Sequence, residues 1–167
     1  MKVLIVDESA ERADLLRESL ERAGYEVAAS LNSADIIVVD TESPSREVLA
    51  HLAVVSQHTP RPVVMFATDG APETIRRAVR AGVSAYIVDG LEPARVKGIV
   101  AAAIATFDEF QRLRQQLAER KSVERAKAIL MGRHRLDEDA AYSLLRRMAM
   151  ERKLRVGEVA QCVIDGA

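Results

Sequence analysis

The first 90 residues alternate short apolar runs with longer amphipathic stretches. Val3-Leu4-Ile5-Val6 ends at Asp7, Ile36-Ile37-Val38-Val39 ends at Asp40, Val63-Val64-Met65-Phe66 follows Pro62, and Ala85-Tyr86-Ile87-Val88 ends at Asp89. Uninterrupted runs of this kind, rich in β-branched residues, read as strands covered on both faces. Between them Leu15, Leu16, Leu20 and Ala23 recur at helical spacing up to Gly24, and Ile75, Ala78 and Val79 do so up to Gly82. Such strand–helix alternation predicts a parallel sheet with helices on both faces.

Near Glu92 the strand signals stop. Ile99, Ala103, Phe107, Phe110, Leu113 and Leu117 repeat every three or four residues with Gln, Arg and Glu between them, which predicts one long amphipathic helix. Packing on its own sheet accounts for the first half. Phe107, Phe110, Leu113 and Leu117 lie beyond the reach of the sheet, so this stretch is expected to pair with a second copy as a coiled coil. The last 45 residues read as three helices. Ser122–Met131 carries Val123, Ala126 and Leu130 on one face, with Lys121 and Arg125 four apart. Asp137 can cap a second helix bearing Ala141, Leu144, Leu145, Met148 and Ala149. A third carries Val156, Val159, Ala160, Val163 and Ile164, with Cys162 beside the stripe as a core or near-core residue. The parts expected are therefore a sheet domain over 1–92, a linking helix over 93–119 and a small helical module over 120–167.

Composition narrows the class. With 167 residues, 49% apolar and 29% charged, the chain can bury a core and is unlike a disordered one. No run approaches the roughly 20 apolar residues of a membrane span. The N-terminus sets one Lys before four apolar residues and then turns acidic, unlike a secretory signal. A single cysteine cannot form an internal disulfide, which points to a cytoplasmic protein and away from a disulfide scaffold or a cysteine-rich zinc site. The net charge of −1 divides unevenly: residues 1–110 hold 11 Lys/Arg against 17 Asp/Glu, residues 111–167 hold 13 against 8. An acidic front joined to a basic tail suggests a regulatory or catalytic domain feeding a module that meets a polyanion, although a solvated basic helix would give the same count.

Ligands of open parallel sheets sit at the carboxyl ends of the strands, where Asp7, Glu8, Asp40 and Asp89 fall. A single acid there can merely cap the next helix, but three strands each ending in one favour a shared pocket. An enzyme reading rests on these acids alone. His51 and His58 fall in or after a helix, Cys162 has no nearby His, and neither a Walker loop nor a dinucleotide fingerprint occurs.

The tail RKSVERAKAILMGRHRLDEDAAYSLLRRMAMERKLRVGEVAQCVI resembles the ANTAR domain, the RNA-binding module of transcription antitermination regulators. The resemblance is carried by Glu124-Arg125-Ala126-Lys127, Leu130-Met131, Glu138–Leu145 with Ala141-Tyr142, Arg146-Arg147-Met148-Ala149-Met150 and Glu158-Val159-Ala160. The front half resembles a response-regulator receiver, a flavodoxin-like parallel sheet. DTESPSREV, RPVVMFATD and GVSAYIVDG look like the nitrate-assimilation antitermination regulators of the NasT type, related to AmiR. The receiver resemblance implies a phosphoacceptor at Asp40 and a Mg²⁺ site at Asp7, Glu8 and Asp40, since clustered carboxylates suit a hard cation.

Three departures argue against phosphorylation. The Ser/Thr that the family places five residues after Pro62 is Ala67, with Thr68 one position late. The Lys expected after the last strand is Asp89, whose charge would repel a phosphoryl group, and Gly90 follows where the family has Pro. Asp7 and Asp40 are also only 33 residues apart, about a dozen fewer than the family's usual span. A parallel crossover needs roughly 10–12 residues including its helix. The second receiver helix is therefore expected to be missing or reduced to a turn, with an altered edge at strand two.

The ANTAR resemblance implies binding of paired stem-loops in leader mRNA, with Lys and Arg on phosphates and exposed loop bases read for sequence. The candidates are Lys121, Arg125, Lys127, Arg133, Arg146, Arg147, Arg152 and Lys153, with Tyr142 either stacking on a base or partly in the core. Two stem-loops per site suit a homodimer. The subgroup resemblance implies a sequestering sensor protein of the nitrate/nitrite type in place of phosphorylation. A phosphorylation-controlled ANTAR regulator is the alternative. A DNA-binding regulator is more remote, because the short Gly-containing turn of a helix-turn-helix is missing from the tail.

Overall fold

The computed structural model describes residues 1–7, 10–88, 92 and 94–167, with residues 10 and 11 described by backbone alone. Two compact units result, Met1–Glu109 and Phe110–Ala167.

In the first unit, β1 (Lys2–Asp7), β2 (Glu26–Val27), β3 (Ile36–Thr41), β4 (Val63–Ala67) and β5 (Ala85–Val88) form one parallel sheet in the order β2-β1-β3-β4-β5. All residues of β3 and β4 are buried, as their unbroken apolar runs require of central strands covered on both sides. Helix α1 (Ala10–Arg22) and the start of α4 (Val96–His134) cover one face. There Val3, Leu16, Leu20, Ile36, Val38, Val64, Phe66, Val96 and Val100 form the core. Helices α2 (Arg46–His58) and α3 (Pro72–Arg80) cover the other face through Leu49, Leu52 and Ala78 against Ile37, Val39 and Met65. The caps are those the local chemistry favours. Ser45 accepts from the Val48 N–H at 3.2 Å, and Pro72 opens α3 where its missing N–H costs nothing. Gly82, at φ +101°, ends the α3 turn where an added Cβ would lie 2.4 Å from Ser56 Oγ on α2.

The second receiver helix is absent. From β2 the chain passes through a single 3₁₀ turn, Leu31–Ser33, into β3, and β2 itself is a two-residue edge. The Arg61 guanidinium donates to the Leu31 carbonyl and pins the turn. Leu4 and Val6 of β1, with Ile37 and Val39 of β3, thereby floor an apolar groove of about 290 Å³ walled by residues of α2, and Val6 is exposed.

In the second unit the last part of α4 packs with α5 (Glu138–Arg152) and α6 (Val156–Asp165). Ala126, Ala141, Ala149 and Ala160 are small residues that let the three helices approach around Leu130, Leu145, Val159 and Val163. Complete burial of a side chain such as Leu145 contributes about 2–3 kcal/mol. Asp137 caps α5, accepting from the Ala140 N–H at 2.7 Å, and Lys153 ends it in the left-handed conformation. Two sequence expectations change here. The linking helix and the first module helix are one 39-residue helix, since strong helix formers run through 117–127 without Gly or Pro. Cys162 is exposed, because the 100° step per residue turns it away from the Val159–Val163 face.

Candidate functional site

Strand register assembles the acids in the first unit. The β1–β3 ladder sets Asp7 beside Asp40, and the β3–β4 ladder sets Thr41 beside Ala67. Asp40 is 5% exposed at the carboxyl end of a buried strand. From the first turns of α1, Arg12 places its Nε 3.5 Å from Asp40 Oδ2. Arginine keeps its charge at any accessible pH, so the carboxylate in the phosphoacceptor position faces a permanent internal cation. Glu8, Asp89 and Gly90 lie outside the described residues. At the position expected to carry a hydroxyl, Ala67 is buried, and Thr68 is exposed with its N–H donating to the Glu42 carbonyl at 3.1 Å.

The oxygens of Asp7 and Asp40 are of the kind Mg²⁺ prefers, but Arg12 already neutralises one of them. Among the described residues no group of three or more His, Cys, Asp or Glu is placed to hold a metal ion. The described set does not fit a divalent cation without displacement of Arg12.

A second cluster at this end of the sheet centres on Asp69. Its Oδ2 accepts from Ser43 Oγ at 2.8 Å and Thr74 Oγ1 at 2.9 Å, and its Oδ1 from the Ala71 N–H at 2.8 Å. Tyr86 Oη donates to the Asp69 carbonyl at 2.6 Å. The loops after β3 and β4, the start of α3 and strand β5 are thus tied together. The bond from Ala71, followed by those from Ser43 and Thr74, holds the Asp69 carboxyl below the usual carboxylate range. Burial, aided by the Asp69 charge, raises Tyr86 above an ordinary phenol. Neither Arg12 nor Asp69 stands out in the sequence. Arg12 could have been found by asking which cation on the helix after β1 faces the strand-end acids.

In the second unit the expected basic residues separate into distinct environments. Lys121, Arg125, Arg146, Arg147, Arg152 and Lys153 are exposed. Lys127 is 7% exposed, its ammonium held by Glu124 at 2.9 Å and Glu138 at 2.6 Å. The bond to Glu138, then that to Glu124, raises the Lys127 pKa, and Lys127 in turn lowers that of Glu138. Arg133 donates to the Gly166 carbonyl at 3.0 Å, beside the end of α6, where a cation complements the helix dipole. Arg146 and Arg147, neighbours in sequence, point 100° apart on α5. Arg147 lines a shallow depression with His134 and Leu136, whereas Arg146 follows Tyr142 by one turn on a different flank. Tyr142 is 44% exposed. On α4, Phe110, Leu113 and Leu117 are each at least half exposed, forming an apolar stripe at three- and four-residue spacing. Phe107, in the first unit, is half-buried.

Comparison with protein families matches residues 111–164 to the ANTAR domain. Nearly the whole chain is similar to the transcriptional regulatory protein PdtaR of Mycobacterium tuberculosis, 28% identical over 98% of this chain and 89% of that protein. About two thirds of the chain is similar to the chemotaxis protein CheY1 of Helicobacter pylori, 27% identical over 65% of this chain and 100% of that one. A solved response regulator from Thermotoga maritima shares the fold, with a TM-score of 0.54 at 21% identity over 62% of this chain and 97% of its own. The chain thus carries an ANTAR domain after a receiver-type parallel sheet, an arrangement consistent with an ANTAR-domain response regulator.

Proposed function

We propose that the chain is an RNA-binding transcription antitermination regulator that grips paired stem-loops in leader transcripts with its second unit. The observation that carries this reading is the ANTAR match over 111–164, on a stretch holding 13 Lys/Arg against 7 Asp/Glu. The name of PdtaR, a transcriptional regulatory protein, supports transcription as the process. Phosphate contacts are assigned to Lys121, Arg125, Arg146, Arg147, Arg152 and Lys153. Lys127 and Arg133 act chiefly inside the unit, since their charges are already paired with carboxylates or a carbonyl. The chain works as a homodimer through Phe107, Phe110, Leu113 and Leu117, and two copies take the two stem-loops. It acts in the cytoplasm, on RNA and not on DNA or a membrane. No helix among the described residues is long and apolar enough to cross a membrane.

Control comes from a sequestering sensor protein of the nitrate/nitrite type. The Arg12 charge against Asp40 and the missing hydroxyl at Ala67 support control without phosphoryl transfer. Gel shifts test the reading with a two-stem-loop leader, single-stem controls and duplex DNA as competitor. Tight binding to the paired hairpins alone is expected, and equal binding to every nucleic acid would contradict it. For the control step, a stable complex with the partner that no longer takes up RNA is expected. Unchanged RNA affinity at saturating partner would overturn it.

The register of Asp7 beside Asp40 favours a second reading, control by phosphorylation of Asp40 with Mg²⁺ at Asp7, Glu8 and Asp40. Acetyl phosphate with Mg²⁺, followed by intact mass and with Asp40→Asn as control, separates the two readings. A mass gain of one phosphoryl group in the wild type alone would establish the second.

A further inference from the structure

We propose that the cleft walled by α4, α5 and the start of α6 is a receptor for one unpaired RNA base bearing an exocyclic amino group, with Tyr142 as its stacking face and Asp139 and Glu138 as acceptors of its edge. The proposal rests on the RNA reading above and gives it a specificity site.

The cleft has a volume of about 600 Å³, room for a nucleobase, and lies wholly within the second unit. Tyr142 is the sole aromatic residue after Phe110, and its ring is left nearly half exposed at the cleft instead of joining the Leu145 core. Every base offers a π-face to such a ring. Glu138 and Asp139 precede Tyr142 by four and three residues, so all three share one face of α5 and all line the cleft.

The charge distribution decides what kind of group enters. Of the eight carboxylates in the second unit, four line this cleft: Glu119, Glu124, Glu138 and Asp139. The unit as a whole is positive, yet here acids outnumber the cations Arg120, Lys127 and Arg155. Lys127 is enclosed between Glu124 and Glu138, so it fixes the acids in position and does not reach outward for a phosphate. A backbone phosphate is repelled by this lining, whereas N–H donors are attracted. The amino groups of cytosine, adenine and guanine are such donors, and a carboxylate accepting from cytosine N4 is an established base-edge contact. Uracil has no exocyclic amino group, and its one edge donor, N3–H, is flanked on both sides by carbonyls that the carboxylates repel. Exposed Arg146, one turn beyond Tyr142, is placed to hold the flanking phosphate. At the α6 wall, a Cβ on Gly157 would lie 3.2 Å from Glu119 Cγ, so the glycine allows the close approach that shapes this side. A cationic side chain of a protein partner is the competing occupant, because an acidic and aromatic lining would suit it too.

Fluorescence anisotropy with the full-length protein tests the proposal, using two-stem-loop RNAs whose loops are all cytidine, all adenosine or all uridine. The cytidine and adenosine loops are expected to bind about tenfold tighter than the uridine loop, the preference of one well-formed base-edge pair. Asp139→Asn should bring that ratio close to one, Tyr142→Leu should weaken every loop, and Arg147→Ala on the other flank should weaken all loops alike with the ratio kept. Circular dichroism melts check that each variant folds. Equal binding of all three loops by the wild type would overturn the proposal while leaving RNA binding intact. So would a loop preference indifferent to both Asp139→Asn and Tyr142→Leu, or a uniform gain in affinity with Asp139→Asn. Protection of Tyr142 from iodination by an arginine-rich peptide but not by any hairpin would assign the cleft to a protein partner. If no hairpin binds at all, the RNA reading itself fails.

Discussion

The guanidinium of Arg12 lies 3.5 Å from the Asp40 carboxylate and faces it with a positive charge. With the Arg12 side chain 35% exposed, solvent screens the pair, and its loss is worth less than the breaking of a fully buried ion pair. Arg12→Ala should destabilise the first unit by about 1–2 kcal/mol. In a double-mutant cycle measured by urea denaturation, Asp40→Asn should recover about 1 kcal/mol of that loss. Strictly additive effects would show that the two charges do not interact. The positions of Asp7 and Asp40 were legible in the sequence, because an apolar run ending in an acid places that acid at a strand end and parallel register aligns the ends. Arg12 and Asp69 were not legible, since their roles depend on side chains converging from separate elements. Asp69 shows this most clearly: its hydroxyl partners Ser43 and Thr74 and its carbonyl partner Tyr86 are scattered over 44 positions, and no local pattern joins them. Lys127 is the converse case. It sits in a basic motif, but burial between two acids gives it an internal task.

Among the elements, the short span between strands, set beside the receiver resemblance, foretold the missing helix, because 11 residues between Gly24 and Ile36 cannot form a strand and a crossover helix. The boundary between the linking helix and the module was not legible, since propensity carries a helix on wherever nothing breaks it. Two glycines separate backbone strain from steric conflict. Gly24 at φ +88° has nothing within 4 Å of an added Cβ, whereas Gly82 at φ +101° would meet Ser56. Gly24→Ala should cost about 1 kcal/mol from the left-handed backbone alone. Gly82→Ala should cost about 2–3 kcal/mol, the excess arising from the α2–α3 contact. Equal losses in urea denaturation would mean that Ser56 yields freely.

The Lys127 clamp between α4 and α5 carries a pH signature. Glu138 is lowered from the ordinary carboxylate value of about 4.5 by its bond to Lys127, so its contribution is full above about pH 4.5 and is lost as pH falls through the lowered value. Lys127 is raised from 10.5, so its contribution is full below about pH 10.5 and is lost as pH rises through the raised value. Lys127→Met should therefore lower the melting temperature of the second unit by a constant amount between those limits, and by less in acid as Glu138 is protonated. A deficit that is unchanged down to pH 2 would assign the effect to packing alone.

The whole molecule joins an acidic receiver-type unit to a basic ANTAR unit, and this division was already visible in the charge count. The order of parts was legible because apolar strand runs stop near Glu92 and give way to three- and four-residue helical spacing. The occupant of the apolar α4 stripe was not, since an exposed Phe110, Leu113 and Leu117 say that a face is uncovered without saying what covers it. Self-association through this stripe predicts that wild-type protein sediments as a dimer and that Leu113→Lys with Leu117→Lys sediments as a monomer. A dimer that survives both substitutions would place the contact elsewhere.

On the proposed function, the second unit changes the fate of a transcript. Single-round transcription through a leader carrying two hairpins followed by a terminator measures this directly. With the full-length protein added, read-through should rise several-fold, and it should return to the basal level when one hairpin is deleted or when Arg146→Ala and Arg147→Ala are combined. Unchanged read-through at protein concentrations that saturate the leader RNA would contradict antitermination and leave RNA binding without that output.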